Sequence, residues 1–504
     1  VLVAASAPHL VVVGAGVGGL TAAALLLKAG WRVTVLEAQA YAGGCAGSFP
    51  YQGYRFDAGA TLAGGFQEGG PHARLAEDLG LSWDLLPVDP AWVVHLPGGP
   101  PVRQWADAAA WEAEHRAAFP GAEGFWTLQR RLADVSWDLS RGDLPWPPET
   151  GREFLDLTAS LRPRHAAALP YVLRRMGGLL PPGDDRLRTF VDAGLLIAAQ
   201  CSAAEAGALY GAAALDLPRR GVATPRGGMG GIAATLVAWI RGHGGQVLFK
   251  HAVERLELAG GRVRGVVARE GRRGTRRLAC DVLLANLTPW SLVKLLGEDA
   301  PPALRRRTQG LPPTWGAFML YLGLDAAALP PGAAEHHQVV MDLGRPLGEG
   351  NSVFLSVSPA ADTSRAPWGM RAANLSSHTA VAPWWRLRQL PDGGAAYEAR
   401  RQRYQEAMLA AAERALPGLR GAVRLQLPAT PVTYAHWTAR ADGMVGGFPQ
   451  GDLWRARGPR AGLGRQLANL WQVGDSVFPG QSTAGVTLGG MRVARAVLAG
   501  WRRG

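Results

Sequence analysis

Near the amino-terminal end, three glycines and one acid have the residue types and spacing to hold a dinucleotide. Gly14-Ala15-Gly16-Val17-Gly18-Gly19 is a GxGxxG turn, and Glu37 follows at the distance a ribose would require. Gly14 allows the tight turn, Gly16 lets the backbone approach a pyrophosphate, and Gly19 lets a helix pack closely on a strand. Val17, Gly18 and Ala38 flank these positions and complete the candidate cofactor contacts. An anion would sit at the helix amino terminus, where unpaired N–H groups and the dipole favour negative charge. Glu37 can accept from ribose hydroxyls, and an acid there argues against a 2′-phosphate and so against NADP.

The flanking elements suit this chemistry. Leu10 to Val13 reads as a buried strand, and an alanine- and leucine-rich helix then runs to Gly30. Trp31 to Leu36 reads as a second strand closing on Glu37. Strand, glycine turn, helix, strand and acid are complete within about 30 residues. The pattern does not separate FAD from NAD.

Resemblance supplies the next step. Glu37 to Ser48, EAQAYAGGCAGS, resembles the segment after the second strand in flavin amine oxidases and carotenoid desaturases. The resemblance implies that Gly43-Gly44 returns to the cofactor phosphates, and that the cofactor is FAD. Amine oxidases usually place arginine after that pair. Cys45 stands there instead, as carotenoid isomerases and desaturases tend to have a small residue. Gly53 to Ala60 resembles the hairpin of the same families.

Pro225 to Gly231 precedes a helix with Ile232, Leu236, Trp239 and Ile240 on one face, most simply core packing. Gln246 to Phe249 reads as a strand, His251 to Leu258 and Val263 to Arg269 as a hairpin, and Val282 to Asn286 as a buried strand. This order resembles the second cofactor segment of carotenoid desaturases, which implies adenosine contact near Val253. Near the carboxyl end, Leu470 to Ser476 reads as a strand feeding the Gly474-Asp475 turn, and Pro479 to Val486 opens a helix to about Leu498. By resemblance to carotenoid desaturases and isomerases, this segment carries the flavin end of FAD. Asp475 would bond a flavin-chain hydroxyl, and the helix start at Gly485-Val486 would face the ring, where a positive helix end stabilises reduced flavin. Thr430-Pro431-Val432-Thr433-Tyr434, Gly443 to Gly447, and Thr483 to Val486 resemble the 3,4-desaturase branch.

These likenesses imply an α/β chain: a discontinuous Rossmann-type FAD domain of the glutathione-reductase type at 1–75, 225–300 and 440–504. An interleaved α+β substrate domain would occupy 76–224 and 301–439. The implied activity is FAD-dependent desaturation of an acyclic carotenoid. The flavin carries that chemistry and the polyene delocalises the developing cation, so no catalytic dyad is needed. The sequence names neither a proton acceptor nor a terminal electron acceptor. A cis–trans isomerase, a ketolase, a flavin amine oxidase and a flavin-free prenyl-binding escort protein share the fold. The intact Gly474-Asp475 turn and Gly485 helix start argue against the escort.

Composition bounds the alternatives. The chain has 504 residues, 48% hydrophobic and 18% charged, which excludes charge-driven disorder. Cys45, Cys201 and Cys280 lie far apart, so a disulfide scaffold and a thiolate zinc site are excluded, and a reducing compartment fits. The net charge is +13, yet no run of five basic residues and no finger motif occurs, so nucleic acid is not expected. His336-His337 reads as a surface loop, since no third ligand stands at metal spacing; no metal is expected. Cys45 reads as a small buried residue and not a reactive thiol, and most of the 18 tryptophans as core.

No run approaches the roughly 18–20 apolar residues of a membrane span. A carotenoid substrate nonetheless resides in a bilayer, which implies a cytoplasmic enzyme peripheral on the inner face of the cell membrane. Leu161 to Leu180 interleaves Arg162, Arg164, Arg174 and Arg175 with apolar residues, either as a docking surface or as a domain helix with its apolar face in the core. Trp384 to Arg388 is a second candidate of the same chemistry.

Overall fold

The computed structural model describes residues 7–142, 148, 151–271, 274–309, 315–390, 393–448, 458–463 and 466–501. The first strand, His9–Val13, is apolar on both faces and so takes the centre of a parallel sheet. Its order is Gln246–Phe249, Arg32–Glu37, His9–Val13, Val282–Ala285, Leu470–Gln472. Segments remote in sequence thus converge on one set of carboxyl-terminal strand ends, the edge at which α/β sheets bind ligands.

Two helices cover one face. Val17–Lys28 leaves the glycine turn, and Thr483–Trp501 packs directly upon it. A Cβ on Gly490 would stand 2.5 Å from the Gly18 carbonyl oxygen, so glycine is what permits this approach. Gly230–Gly242 packs beside them through Ile232, Leu236 and Ile240, as its spacing predicts. Trp239 is only partly buried and donates Nε1–H to the Leu79 carbonyl at 2.8 Å. The predicted hairpin is present as His251–Ala259 and Arg262–Glu270, extended by Thr275–Ala279.

A second sheet of seven strands faces the first across the cofactor loops. Its order is Val423–Ala429, Trp315–Asp325, Met370–Ala380, Ser352–Val357, His336–Val340, Val93–His95, Val102–Arg103. Trp315–Asp325 is buried along nearly its whole length because both its faces are covered. Phe318, Leu320, Leu322 and Leu324 meet Trp384, Tyr404 and Met408 on one side; Ala317, Met319 and Tyr321 meet Tyr54 and Phe56 on the other. A third cluster packs Phe119, Trp126 and Phe190 among the helices Ala108–Ala118, Glu123–Arg141 and Asp185–Ala199.

Three expectations from sequence are corrected. His336 and His337 are not in a surface loop: they open the strand His336–Val340, 2% and 4% exposed. His337 has partners for both ring nitrogens: Nε2–H donates to the Ala334 carbonyl at 2.9 Å and Nδ1 accepts from His95 at 3.1 Å. Trp384 is fully buried, its Nε1–H donating to Thr379 Oγ1 at 3.1 Å, so Trp384 itself takes no part in a docking surface, while Arg386 and Arg388 are exposed. Leu161 to Leu180 is not one helix but two short 3-10 turns, Pro163–Tyr171 and Met176–Leu179. His165, Ala168, Met176 and Leu180 turn inward, while Leu161, Leu169 and Leu173 stay exposed.

Candidate cofactor and substrate site

The carboxyl-terminal ends of the parallel strands open into one cavity of about 780 Å³. Gly14, Gly16, Val17, Gly18, Glu37, Ala38, Gly43, Gly44, Cys45, Val253, Gly474, Asp475 and Val486 all line it. The structure therefore brings together residues drawn from three distant stretches of sequence. Gly19 and Gly485 stand outside the lining. A Cβ on Gly19 would lie 2.8 Å from Asn286 Cβ, so this glycine serves packing. The Gly485 amide donates to Ser482 Oγ at 3.0 Å in the first turn of the closing helix.

Gly14 turns at a φ of +94°, and its amide donates to the Leu36 carbonyl at 2.8 Å. Glu37 closes the same turn: Oε2 accepts from the Ala15 amide and Oε1 from the Gln39 amide, both at 2.8 Å. Burial pushes its carboxyl above the usual range, while the amides of Gln39 and Ala15 pull the other way. Each oxygen keeps a lone pair for a hydroxyl in the cavity. The loop after Glu37 folds back upon the glycine turn, with the Gly43 amide donating to the Ala15 carbonyl at 2.9 Å. A Cβ on Gly44 would meet nothing nearer than Gly16 Cα at 3.8 Å, so its bare backbone faces open space, whereas one on Gly16 would stand 2.4 Å from Asn286 Nδ2. That cradle suits a pyrophosphate.

Beside the glycine turn, where a Cβ on Gly18 would lie 3.5 Å from Gly474 Cα, Gly474 turns at a φ of +114° and is followed by Asp475. Asp475 Oδ2 is paired with Arg440 Nη2 at 2.9 Å. Arg440 also donates Nε–H to the Met444 carbonyl at 2.7 Å and Nη2–H to the Gly446 carbonyl. Burial alone would lower its pKa, but the Asp475 carboxylate holds it above the ordinary value. Tyr434 is buried beside Cys45, and burial, with Cys45 second, raises its hydroxyl well above normal. Cys45 is only partly buried and lines the cavity, rather than filling a core gap.

Sequence reasoning missed Asn286 and Arg440. Asn286 Nδ2–H donates to the Gly14 carbonyl at 3.3 Å and underlies Gly16 and Gly19. Its signal was available: a polar residue just past a buried strand stands at the binding edge of a parallel sheet. Arg440 had none, because its partner Asp475 is distant in sequence.

The family described as "Flavin containing amine oxidoreductase" matches residues 17–498. The chain belongs to that family. Two relatives have names that concern carotenoids. Prolycopene isomerase of Arabidopsis thaliana is 28% identical over 97% of this chain and 82% of its own. Phytoene dehydrogenase of Streptomyces griseus is 28% identical over 97% and 95%. A solved oxidoreductase from Methanosarcina mazei shares the fold at a TM-score of 0.64 and 20% identity, covering 97% of this chain and all of that one. The protein is an FAD-dependent oxidoreductase of the flavin containing amine oxidoreductase family. A flavin-free escort is thereby set aside. The matches do not single out the 3,4-desaturase branch.

The family implies FAD, and the residues fit it. Glu37, Gly16, Gly44 and Asp475 line one cavity, so acceptors for ribose hydroxyls and bare glycine backbone for a pyrophosphate are present together. Bound there, FAD supplies the two-electron oxidation. Among the described residues no cluster of three metal-ligating side chains occurs, and no helix is long and apolar enough to cross a membrane.

Proposed function

We propose that the protein desaturates an acyclic carotenoid, extending its conjugated polyene. One observation carries this reading. Besides Thr61 and Leu62 the cavity is lined by Trp92, Phe190, Ile197, Leu215, Leu217 and Phe354. The charged residues of the lining, Glu37, Glu254, Lys294, Arg440 and Asp475, come from the segments that build the dinucleotide end and its entrance. A long hydrocarbon suits such walls, whereas an amine would need an acidic or aromatic cage. The motifs at Thr430 to Tyr434 and Thr483 to Val486 favour the 3,4-desaturase branch. In this site the chain's own task is to bind the polyene, exclude water and receive a proton from the carbon next to the oxidised one.

The equal coverage by the prolycopene isomerase supports a second reading, cis–trans isomerisation on the same site. Product mass separates them. Holoenzyme incubated with an acyclic carotenoid is expected to yield a product two hydrogens lighter, absorbing at longer wavelength. An unchanged mass with altered retention would make it an isomerase, and added oxygen a ketolase.

A polyene must be taken from a bilayer, and the 151–180 segment has the surface for it. Phe154, Leu155, Leu169 and Leu173 are 56–70% exposed, beside exposed Arg162 and Arg174. Arg164 is paired with Asp138, so it adds less free charge than the sequence suggests. Each basic group near anionic headgroups contributes about 1 kcal/mol, and each inserted leucine about 1.5–3 kcal/mol. Changing Arg162 and Arg174 to glutamine and Leu169 and Leu173 to serine is expected to weaken binding to phosphatidylglycerol vesicles at least tenfold, with the flavin spectrum intact. Unchanged co-sedimentation would remove this segment from the membrane surface.

A further inference from the structure

Desaturation requires a proton to leave a carbon in a water-poor cavity, and one buried chain of polar groups runs to that cavity. Thr61 lines it. Its Oγ1 is 2.6 Å from Ser356 Oγ, and Ser356 Oγ is 2.9 Å from His336 Nδ1. His336 and Ser356 face each other across paired strands, 2% and 5% exposed, and Phe354 from the same strand stacks on the imidazole at 6.4 Å. His336 Nε2 is buried with no hydrogen-bond partner among the described residues. An imidazole placed for packing alone would be a costly choice there.

Thr61 itself is held from the cofactor side. One residue earlier the chain is bound to the cofactor loop, with the Ala60 amide donating to the Cys45 carbonyl at 3.2 Å. Tyr321 donates its hydroxyl to the Ala58 carbonyl at 2.9 Å. The hydroxyl thus stands where the cofactor loop, the substrate cavity and the second sheet meet.

We infer that Thr61, Ser356 and His336 form a proton relay, in which Thr61 meets the substrate and the other two position and back it. This rests on the carotenoid reading above. In desaturation, one C–H bond of the polyene gives its hydrogen with both electrons to oxidised flavin, the oxidant. The C–H bond on the adjacent carbon then breaks, and its electron pair becomes the new C=C bond. That proton passes to Thr61 Oγ1 as the Thr61 hydroxyl proton moves to Ser356 Oγ and the Ser356 proton to His336 Nδ1. It returns to water by the reverse path once product leaves. The imidazole is neutral and able to accept at pH 7, because burial, with His337 and Arg365 adding to it, pushes its pKa down to about 3. A weak base suffices, since the carbon beside a delocalised cation is a strong acid.

Holoenzyme carrying Thr61→Val, Thr61→Ser or Ser356→Ala tests this. Thr61→Val is expected to turn over about 100-fold more slowly with unchanged flavin content, and to lose the solvent deuterium isotope effect that wild type and Thr61→Ser show. In ¹⁵N-histidine-labelled protein without substrate, the His336 Nδ1 resonance is expected to move in Thr61→Val and Ser356→Ala but not in Thr61→Ser. Turnover of Thr61→Val within about threefold of wild type, or an Nδ1 resonance indifferent to Thr61→Val, would overturn the relay. A wild type that converts no carotenoid would overturn the proposed function instead, and the resonance would then decide the relay alone.

Discussion

Gly43→Val is expected to purify without bound flavin, with FAD affinity at least 100-fold below wild type. Gly43 sits at a φ of +112°, a conformation that costs a residue with a Cβ about 1–2 kcal/mol. The space is also closed: a Cβ would stand 2.6 Å from Gly47 Cα and 2.8 Å from Gly47 N, both backbone. Relief requires the loop to shift, and that loop carries the Gly44 backbone of the phosphate cradle and the bond from Gly43 to Ala15. Gly30→Ala is the control. Its φ is +89°, but nothing lies within 4 Å of the added carbon and it is remote from the cavity. It should lower stability by about 1–2 kcal/mol and leave flavin content alone. The flavin-to-protein absorbance ratio of purified samples, followed by FAD titration, reads both.

Asp57→Ala is expected to destabilise the holoenzyme by about 3–5 kcal/mol. Asp57 Oδ2 accepts from Arg365 Nη2 at 2.8 Å, and both side chains are 3% exposed. Oδ1 accepts from Ser48 Oγ at 2.6 Å and from the Met229 amide at 2.8 Å. Arg365 also donates Nε–H to the Arg55 carbonyl at 2.8 Å. One carboxylate therefore joins the hairpin after the cofactor loop, the start of the helix Gly230–Gly242 and the loop before the strand Met370–Ala380. Without it a guanidinium is left buried and uncompensated. Asp57→Leu with Arg365→Met should recover part of the loss, since no charge then remains to be satisfied. Urea denaturation midpoints give the comparison. A fall of under 1 kcal/mol for Asp57→Ala would mean that water reaches Arg365.

The cofactor half of the site was legible because its chemistry is local. A turn that must admit a pyrophosphate needs glycine at fixed offsets, and the acid that meets the ribose follows after one helix and one strand. Gly43-Gly44 and Gly474-Asp475 were reached only through resemblance to flavin amine oxidases, carotenoid desaturases and isomerases. The substrate half was not legible, because its polar residues are matched across the sheet. His336 reads as exposed until Ser352–Val357 is placed beside it, and the bond from Thr61 to Ser356 spans 295 positions. Arg440 and Asp475 meet by the same route. Trp384 near Arg386 and Arg388 looked interfacial, yet Thr379 satisfies its N–H within the core. Amphipathic composition over a short window cannot distinguish those outcomes, since the deciding partner lies elsewhere in the chain.

In the proposed function, flavin in the cavity lined by Glu37 and Asp475 oxidises a polyene held against the apolar lining near Thr61. Anaerobic mixing of holoenzyme with an excess of an acyclic carotenoid in phosphatidylglycerol vesicles tests it most directly. Without oxygen or another acceptor, the oxidised-flavin spectrum should bleach once, with one product molecule, two hydrogens lighter, formed per flavin. A flavin that stays oxidised in the presence of the carotenoid but bleaches with a simple primary amine would contradict the account.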